Sequence, residues 1–217
     1  ILEHYRFMPY IYSCAYEAAT QGLPIERSLV MEFPFDASIK GDEVNSLFGP
    51  SILKVLVTEK AKTEVCVYLP QGLWWYHKDG DAYEGGVSLT LSYPCNGEVL
   101  WFAKEGSVVP TSPTLRHLDS GLFDELDLLV FPCRSEGMVN VSTYFEDDGK
   151  TELHKELYNL WEFEVSEKTL RIMKKMGRIT KQRLFRLVVP EGFSLSETLF
   201  DPDSLEEGES RLIQILR

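Results

Sequence analysis

Two hydrophobic rhythms divide this chain. Up to residue 22, Leu2, Tyr5, Met8, Tyr12, Ala15 and Ala19 recur every three or four positions, which is the spacing of one helix face. Phe7, Ile11 and Tyr16 widen that stripe nearly all round. A helix this apolar is expected to lie buried against something large. Pro9 sits about two turns in, where it kinks the helix or marks its true start. Gly22 followed by Leu23-Pro24 stops it.

Beyond Pro24 the period falls to two. Strand-like runs follow one another: SLVMEF, ILKVLV, EVCVYL, VSLTLSY, VLWFA and SVVP. Turn sequences rich in Gly, Pro, Asn and Asp separate them, among them FGPS, LPQG, KDGD and PCNGE. Residues 110–125 (PTSPTLRHLDSGLFDE) read as a linker. A second series then begins with LDLLVF, MVNVSTYF, LWEFEV, TLRIM, RLFRLVV and RLIQIL, with turns at EDDG and KKMG. Short strands at this spacing predict a mainly β fold with antiparallel pairing. The reading is two antiparallel β-sandwich domains, 23–112 and 113–217, preceded by one helix, 1–22.

Charge narrows the partners. The chain has 217 residues and a net charge of −12, so nucleic acid and anionic membrane are not expected partners. No apolar run reaches the roughly 18 residues of a membrane span. No basic n-region, apolar h-region or small-residue cleavage site opens the sequence. The four cysteines, Cys14, Cys66, Cys95 and Cys133, form no C-x-x-C pair. They read as free, mostly buried thiols of a reducing compartment, with one or two disulfides as the alternative, and a cytoplasmic location is the expectation. The sequon Asn140-Val141-Ser142 falls in a strand-like run.

Candidate chemistry is sparse. Glu146, Asp147 and Asp148 precede Gly149 and are weak candidates for a metal site. Neighbours on a strand point to opposite faces, so Asp147 and Asp148 do not converge as a glycosidase pair. The acids also lack the alternate spacing of an EF-hand loop. The plainer reading is a strand ending in an Asp-Gly turn. Trp74 and Trp75 in GLWWYHKDGDAYEGG are weak candidates for sugar stacking, and core packing is the competing reading. Arg171, Lys174, Lys175, Arg178, Lys181, Arg183 and Arg186 form an acid-free run, read as the solvated side of a hairpin turning at Met176-Gly177, with docking of an anionic ligand as the alternative. His4, His77, His117 and His154 lie in separate segments. No nucleophile elbow, phosphate loop or zinc-binding helix motif is present. No cofactor is expected, and no residue is assigned a catalytic role.

The opening stretch, YRFMPYIYSCAYEAATQGLPIERSLVMEFP, resembles the end of the catalytic barrel in glycoside hydrolase family 31, the α-glucosidases and α-xylosidases. The matching residues are Tyr5, Arg6, Pro9, Tyr10, Ile11, Tyr12, Ser13, Gly22, Pro24, Arg27 and Leu29. LFGPSIL, VCVYLPQGLWWY, YEGG, AKEGSVVP and YFEDDGKT resemble further family motifs in the family's order. Residues 1–112 match well, and from 113 onward the match rests mainly on the Glu146–Gly149 turn. Ser28, where the family usually has Pro, and Lys54, where an apolar residue is common, depart from the pattern.

The resemblance implies that 1–22 is the last helix of a (β/α)8 barrel, with Tyr5, Met8 and Tyr12 packed on that barrel. It implies that 23–112 and 113–217 are the proximal and distal C-terminal sandwiches. It also implies that the catalytic carboxylates lie upstream, so that the chain is inactive alone. The implied partners are its own barrel and an α-glucoside or α-xyloside substrate. Two readings compete: a stand-alone carbohydrate-binding module using Trp74, Trp75 or Trp161, and an interaction domain forming homo-oligomers through residues 5–19.

Overall fold

The computed structural model describes residues 2–39, 45–94, 97–112, 126–152, 156–180 and 184–217. The fold is mainly β, as the period-two pattern predicts. The chain divides into two compact units: Pro24–Glu105, and Ile1–Leu23 together with Gly106–Arg217. The division falls at Glu105/Gly106 rather than at 112/113, and the N-terminal helix groups with the C-terminal residues. Of the expected linker, Pro110 and Thr111 belong to a strand, and 113–125 lie outside the described residues.

The chain opens with α1 (Leu2–Arg6) and α2 (Met8–Gln21), separated at Phe7. Pro9 stands in the first turn of α2, where no intrahelical N–H is needed. Gly22 ends the helix in the left-handed region (φ 75°), with its N–H donated to the Ala18 carbonyl. The buried face carries Phe7, Pro9, Tyr10, Ser13 and Cys14. The predicted stripe lies beside it: Tyr5, Met8, Tyr12 and Ala15 are half-buried and Ala19 is exposed. Aromatic residues surround this helix, so periodicity alone does not single out the covered face.

In the Pro24–Glu105 unit, β1 (Glu26–Ser28) leads into the one-turn helix α3 (Leu29–Glu32). SLVMEF is therefore not a strand. Arg27, 3% exposed, donates to the Pro24 carbonyl and pairs with Glu32 at 2.9 Å, which holds the turn in place. Then come β2 (Ser46–Phe48), β3 (Ile52–Val55), β4 (Glu64–Leu69), β5 (Leu73–Tyr76), β6 (Ala82–Glu84), β7 (Val87–Ser92) and β8 (Leu100–Lys104). Six strands form one sheet in the order β1-β2-β3-β8-β5-β6, and β4 pairs with β7. All these pairings are antiparallel. Leu47, Leu53, Val67, Leu69, Trp74, Leu100 and Phe102 share one core.

In the other unit, β9 (Val108–Thr111), β10 (Leu126–Val130), β14 (Phe185–Val188) and β16 (Leu199–Phe200) form a four-stranded sheet. A five-stranded sheet runs β11 (Asn140–Asp147), β12 (Tyr158–Val165), β13 (Thr169–Gly177), β17 (Ser210–Leu216) and β15 (Ser194–Leu195). The β10–β14 pair is parallel, and the remaining pairs of this unit are antiparallel. Leu126, Leu128, Val130 and Phe185 of the first sheet meet Tyr144, Trp161, Phe163, Leu170 and Ile172 of the second in one core. β13 and β14 are not a hairpin turning at Met176-Gly177, because they belong to different sheets.

Candidate functional site

The acidic turn at the end of β11 carries a connected set of polar contacts. β11 alternates, so Tyr144 and Glu146 face the core while Asp147 faces outward. The 2%-exposed Glu146 carboxylate accepts the Tyr144 hydroxyl (2.8 Å) and the Asn159 amide (2.9 Å). Asn159 in turn donates to the Ile179 carbonyl and accepts the Arg178 and Ile179 N–H groups. This buried polar network fastens the chain that follows β13 to β12.

Asp147 Oδ1 accepts the Tyr12 hydroxyl of α2 at 2.7 Å and the Gly149 N–H at 2.8 Å. Burial, and then that hydrogen bond to a carboxylate, push the Tyr12 phenol well above its ordinary range. Asp148 is spent on its own turn. It accepts the Thr151 hydroxyl and the Thr151 and Lys150 N–H groups, which lower its carboxyl to about 2.

The three carboxylates therefore point three ways, inward, to the helix and into the turn. No group of three or more His, Cys, Asp or Glu side chains is placed to hold a metal ion among the described residues. Tyr12 and Ser13 stand out in the sequence only as motif matches and Asn159 not at all, and nothing local marks any of the three as a hydrogen-bond partner of β11 or of its acidic end. Tyr12 and Ser13 stand more than 130 residues from their partners in β11.

Trp74 and Trp75, the candidate sugar platform, are each 0% exposed. Trp74 donates its indole N–H to the Pro70 carbonyl at 2.8 Å. Trp101 and Trp161 are 7% and 1% exposed, so none of the four indoles offers an open face to a sugar ring. Adjacent residues of a strand face opposite ways; Trp74 belongs to the core of its unit, and Trp75 on the other face of β5 is equally closed.

The basic run is absorbed by ion pairs. Arg171 meets Glu164, Lys175 meets Glu162, Arg178 meets Glu207, and Arg186 makes a two-pronged bond to Asp127 at 2.6–2.7 Å. Lys174 points inward. It is 8% exposed, donates to the Leu205 and Pro202 carbonyls, and lies 5.1 Å from the centre of the Trp161 ring. Lys181 and Arg183 lie outside the described residues, as do Cys95, His117 and His154. Cys14 and Cys133 are buried thiols in no disulfide, and Cys66 is an exposed one. An open groove of about 670 Å³ on the Pro24–Glu105 unit is lined by Ser38, Glu59, Lys62, Cys66, Tyr68 and Ser88. Its Lys62 is paired with Glu59, and its Tyr68 hydroxyl is donated to Asp36.

Comparison with known proteins supplies the family. Residues 22–109 match the family model described as "Glycosyl hydrolase family 31 C-terminal domain". The chain belongs to glycosyl hydrolase family 31. It is 30% identical over 149 residues to a 1,6-alpha-glucosyltransferase of Sporosarcina globispora, covering 67% of this chain and 11% of that protein. It is 29% identical over 216 residues to an alpha-xylosidase of Saccharolobus solfataricus, covering 96% of this chain and 29% of that protein.

The solved alpha-xylosidase of Xanthomonas citri aligns over 96% of this chain and 22% of its own, with 25% identity and a TM-score of 0.76. A dextranase of Flavobacterium johnsoniae shares the fold, with 22% identity, a TM-score of 0.78, and coverage of 98% of this chain and 31% of its own. The chain thus spans less than a third of the length of each of these relatives. In this family 31 domain the YEGG motif has a steric basis. A Cβ on Gly85 would overlap the Pro70 carbonyl, and the Gly85 and Gly86 N–H groups bond the Gly72 and Leu69 carbonyls at 2.7 Å.

Proposed function

We propose that this chain is the C-terminal accessory region of a retaining α-glycosidase that acts on α-glucosides or α-xylosides. In this reading α1 and α2 end a (β/α)8 barrel, and two β-sandwiches follow as proximal and distal domains that buttress it. Hydrolysis belongs to two carboxylates of the barrel: one attacks the anomeric carbon, and the other protonates the leaving oxygen and then activates water. The observation that carries the reading is the alignment of 96% of this chain with under a third of an alpha-xylosidase. The divergent orientations of Glu146, Asp147 and Asp148 support the assignment of no catalytic residue here.

Aryl α-glucoside and aryl α-xyloside hydrolysis by the 217-residue chain tests the proposal. The expected rate is that of the buffer blank. Turnover that disappears in Asp147→Asn or Asp148→Asn would place a site in this chain and overturn it.

A further inference from the structure

The buried indoles leave the Pro24–Glu105 unit with one other opening of ligand size. Its groove of about 670 Å³ adjoins a second of about 460 Å³, and Lys62, Val65 and Cys66 line both. Together they form a trough beside β4 from Tyr68 to Glu64, a rise of about 13 Å along the strand. Volumes of this order are those of small-molecule sites. In the β4–β7 pair, Tyr68 stands opposite Ser88 and Cys66 opposite Thr90, and side chains placed opposite one another share a face. All four line the trough. Tyr68 donates its hydroxyl to Asp36 at 2.7 Å, so its ring is held in place before a ligand arrives. Ser38 and Thr58 add hydroxyls, while Leu56 and Val87, 42% and 46% exposed, add apolar surface.

The lining selects the ligand. Among the described residues its charged groups are Glu59, Glu64 and Lys62, and Lys62 pairs with Glu59. An anion would meet two carboxylates to one ammonium, on a chain whose net charge is −12. A wholly apolar ligand would strip water from the hydroxyls and return no hydrogen bond. A ligand that carries both hydroxyls and apolar C–H faces satisfies both kinds of surface. We propose that this trough binds a neutral, linear oligosaccharide. The sugar hydroxyls donate to the Glu59 and Glu64 carboxylates and exchange hydrogen bonds with Thr58, Ser88 and Thr90. The C–H faces of the rings lie on Leu56 and Val87. The inference assigns binding only, with no bond made or broken, and does not depend on the glycosidase reading.

The test uses the full chain with isomaltotriose and maltotriose, and Cys66 is its reporter because the thiol is exposed and lines both parts of the trough. Its alkylation by iodoacetamide is followed on the Cys66 peptide alone by mass spectrometry. Only the sugar-free form reacts, so the rate should fall about tenfold when one of the trisaccharides stands at about ten times its Kd, itself expected to be about millimolar. Ser88→Phe, which fills the trough, should abolish that slowing, whatever its own starting rate. Glu59→Ala/Lys62→Ala, which removes both partners of one ion pair, should raise the Kd about tenfold. Where Ser88→Phe fails to give the parent's cooperative melt, the double variant is read in its place. No slowing by either sugar, slowing that survives Ser88→Phe and is untouched by the double variant, or equal slowing by glycerol or by a Gly-Ser hexapeptide would each overturn the proposal.

Discussion

Lys174 is the residue at which sequence and structure part most sharply. In the sequence it is one of several cations in an acid-free run. In the fold its neighbour Lys175 pairs with Glu162 at the surface, while Lys174 lies under the 202–205 segment and holds two of its carbonyls. β13 slips in register against β12 at this point, and a Cβ on Gly177 would meet the Lys174 chain. Lys174→Met should therefore lower the unfolding free energy by about 1–3 kcal/mol, because buried carbonyls lose their donor. Lys175→Ala should stay within about 0.5 kcal/mol of the parent chain. Urea titrations of the two variants check the contrast. Strand alternation puts Lys174 on the buried face of Leu170 and Ile172 and Lys175 on the opposite one, a rhythm that the run of cations conceals in the sequence.

At the scale of elements, the turns were the most legible features. YEGG, KDGD and EDDG all stand where the chain reverses, because Gly and Asp chemistry acts locally. Gly85→Ala makes that claim testable. The added methyl meets backbone rather than a flexible side chain, so β5 and β6 must shift, with an expected loss of about 2 kcal/mol or more. Gly97→Ala is the milder comparison: its Cβ would meet nothing within 4 Å, and only the strain of its φ of 79° remains. Thermal melts of the pair should order them accordingly. Sheet membership was far less legible. SVVP reads as one more strand of the first series, yet β9 pairs with β10, and RLFRLVV supplies β14 to a sheet that β13 does not join. Strand pairing depends on partners distant in sequence, whereas turn propensity does not.

For the molecule as a whole, the ionisation of its tyrosines links stability to pH. Tyr12, Tyr16, Tyr68, Tyr76 and Tyr83 are all held above their ordinary value. Burial is the leading cause for the first four, and the bond to Asp79 pushes Tyr83 up to about 12. A raised pKa in the folded state favours the protonated phenol there. The stabilisation is therefore complete below the unfolded value of about 10 and is lost as pH rises through the folded values. Chemical denaturation at about pH 8 and pH 11 should show a clear loss of stability, and Tyr12→Phe should reduce that loss. No helix among the described residues is long and apolar enough to cross a membrane.

The sequence by itself determined the β-rich class, the YEGG, KDGD and EDDG turns though not a turn at KKMG, the start of α2 near Pro9 and its end at Gly22, and the family, because each rests on local propensity or on ordered motifs. Tertiary structure alone decided which face of α2 is covered, that Trp74 and Trp75 are core, that Lys174 is buried while Lys175 is not, and that Asp147 serves Tyr12. Each of those outcomes depends on groups brought together from separate elements, as far apart in sequence as Tyr12 and Asp147. An amphipathic pattern shows that a face will be buried, and only packing selects what buries it.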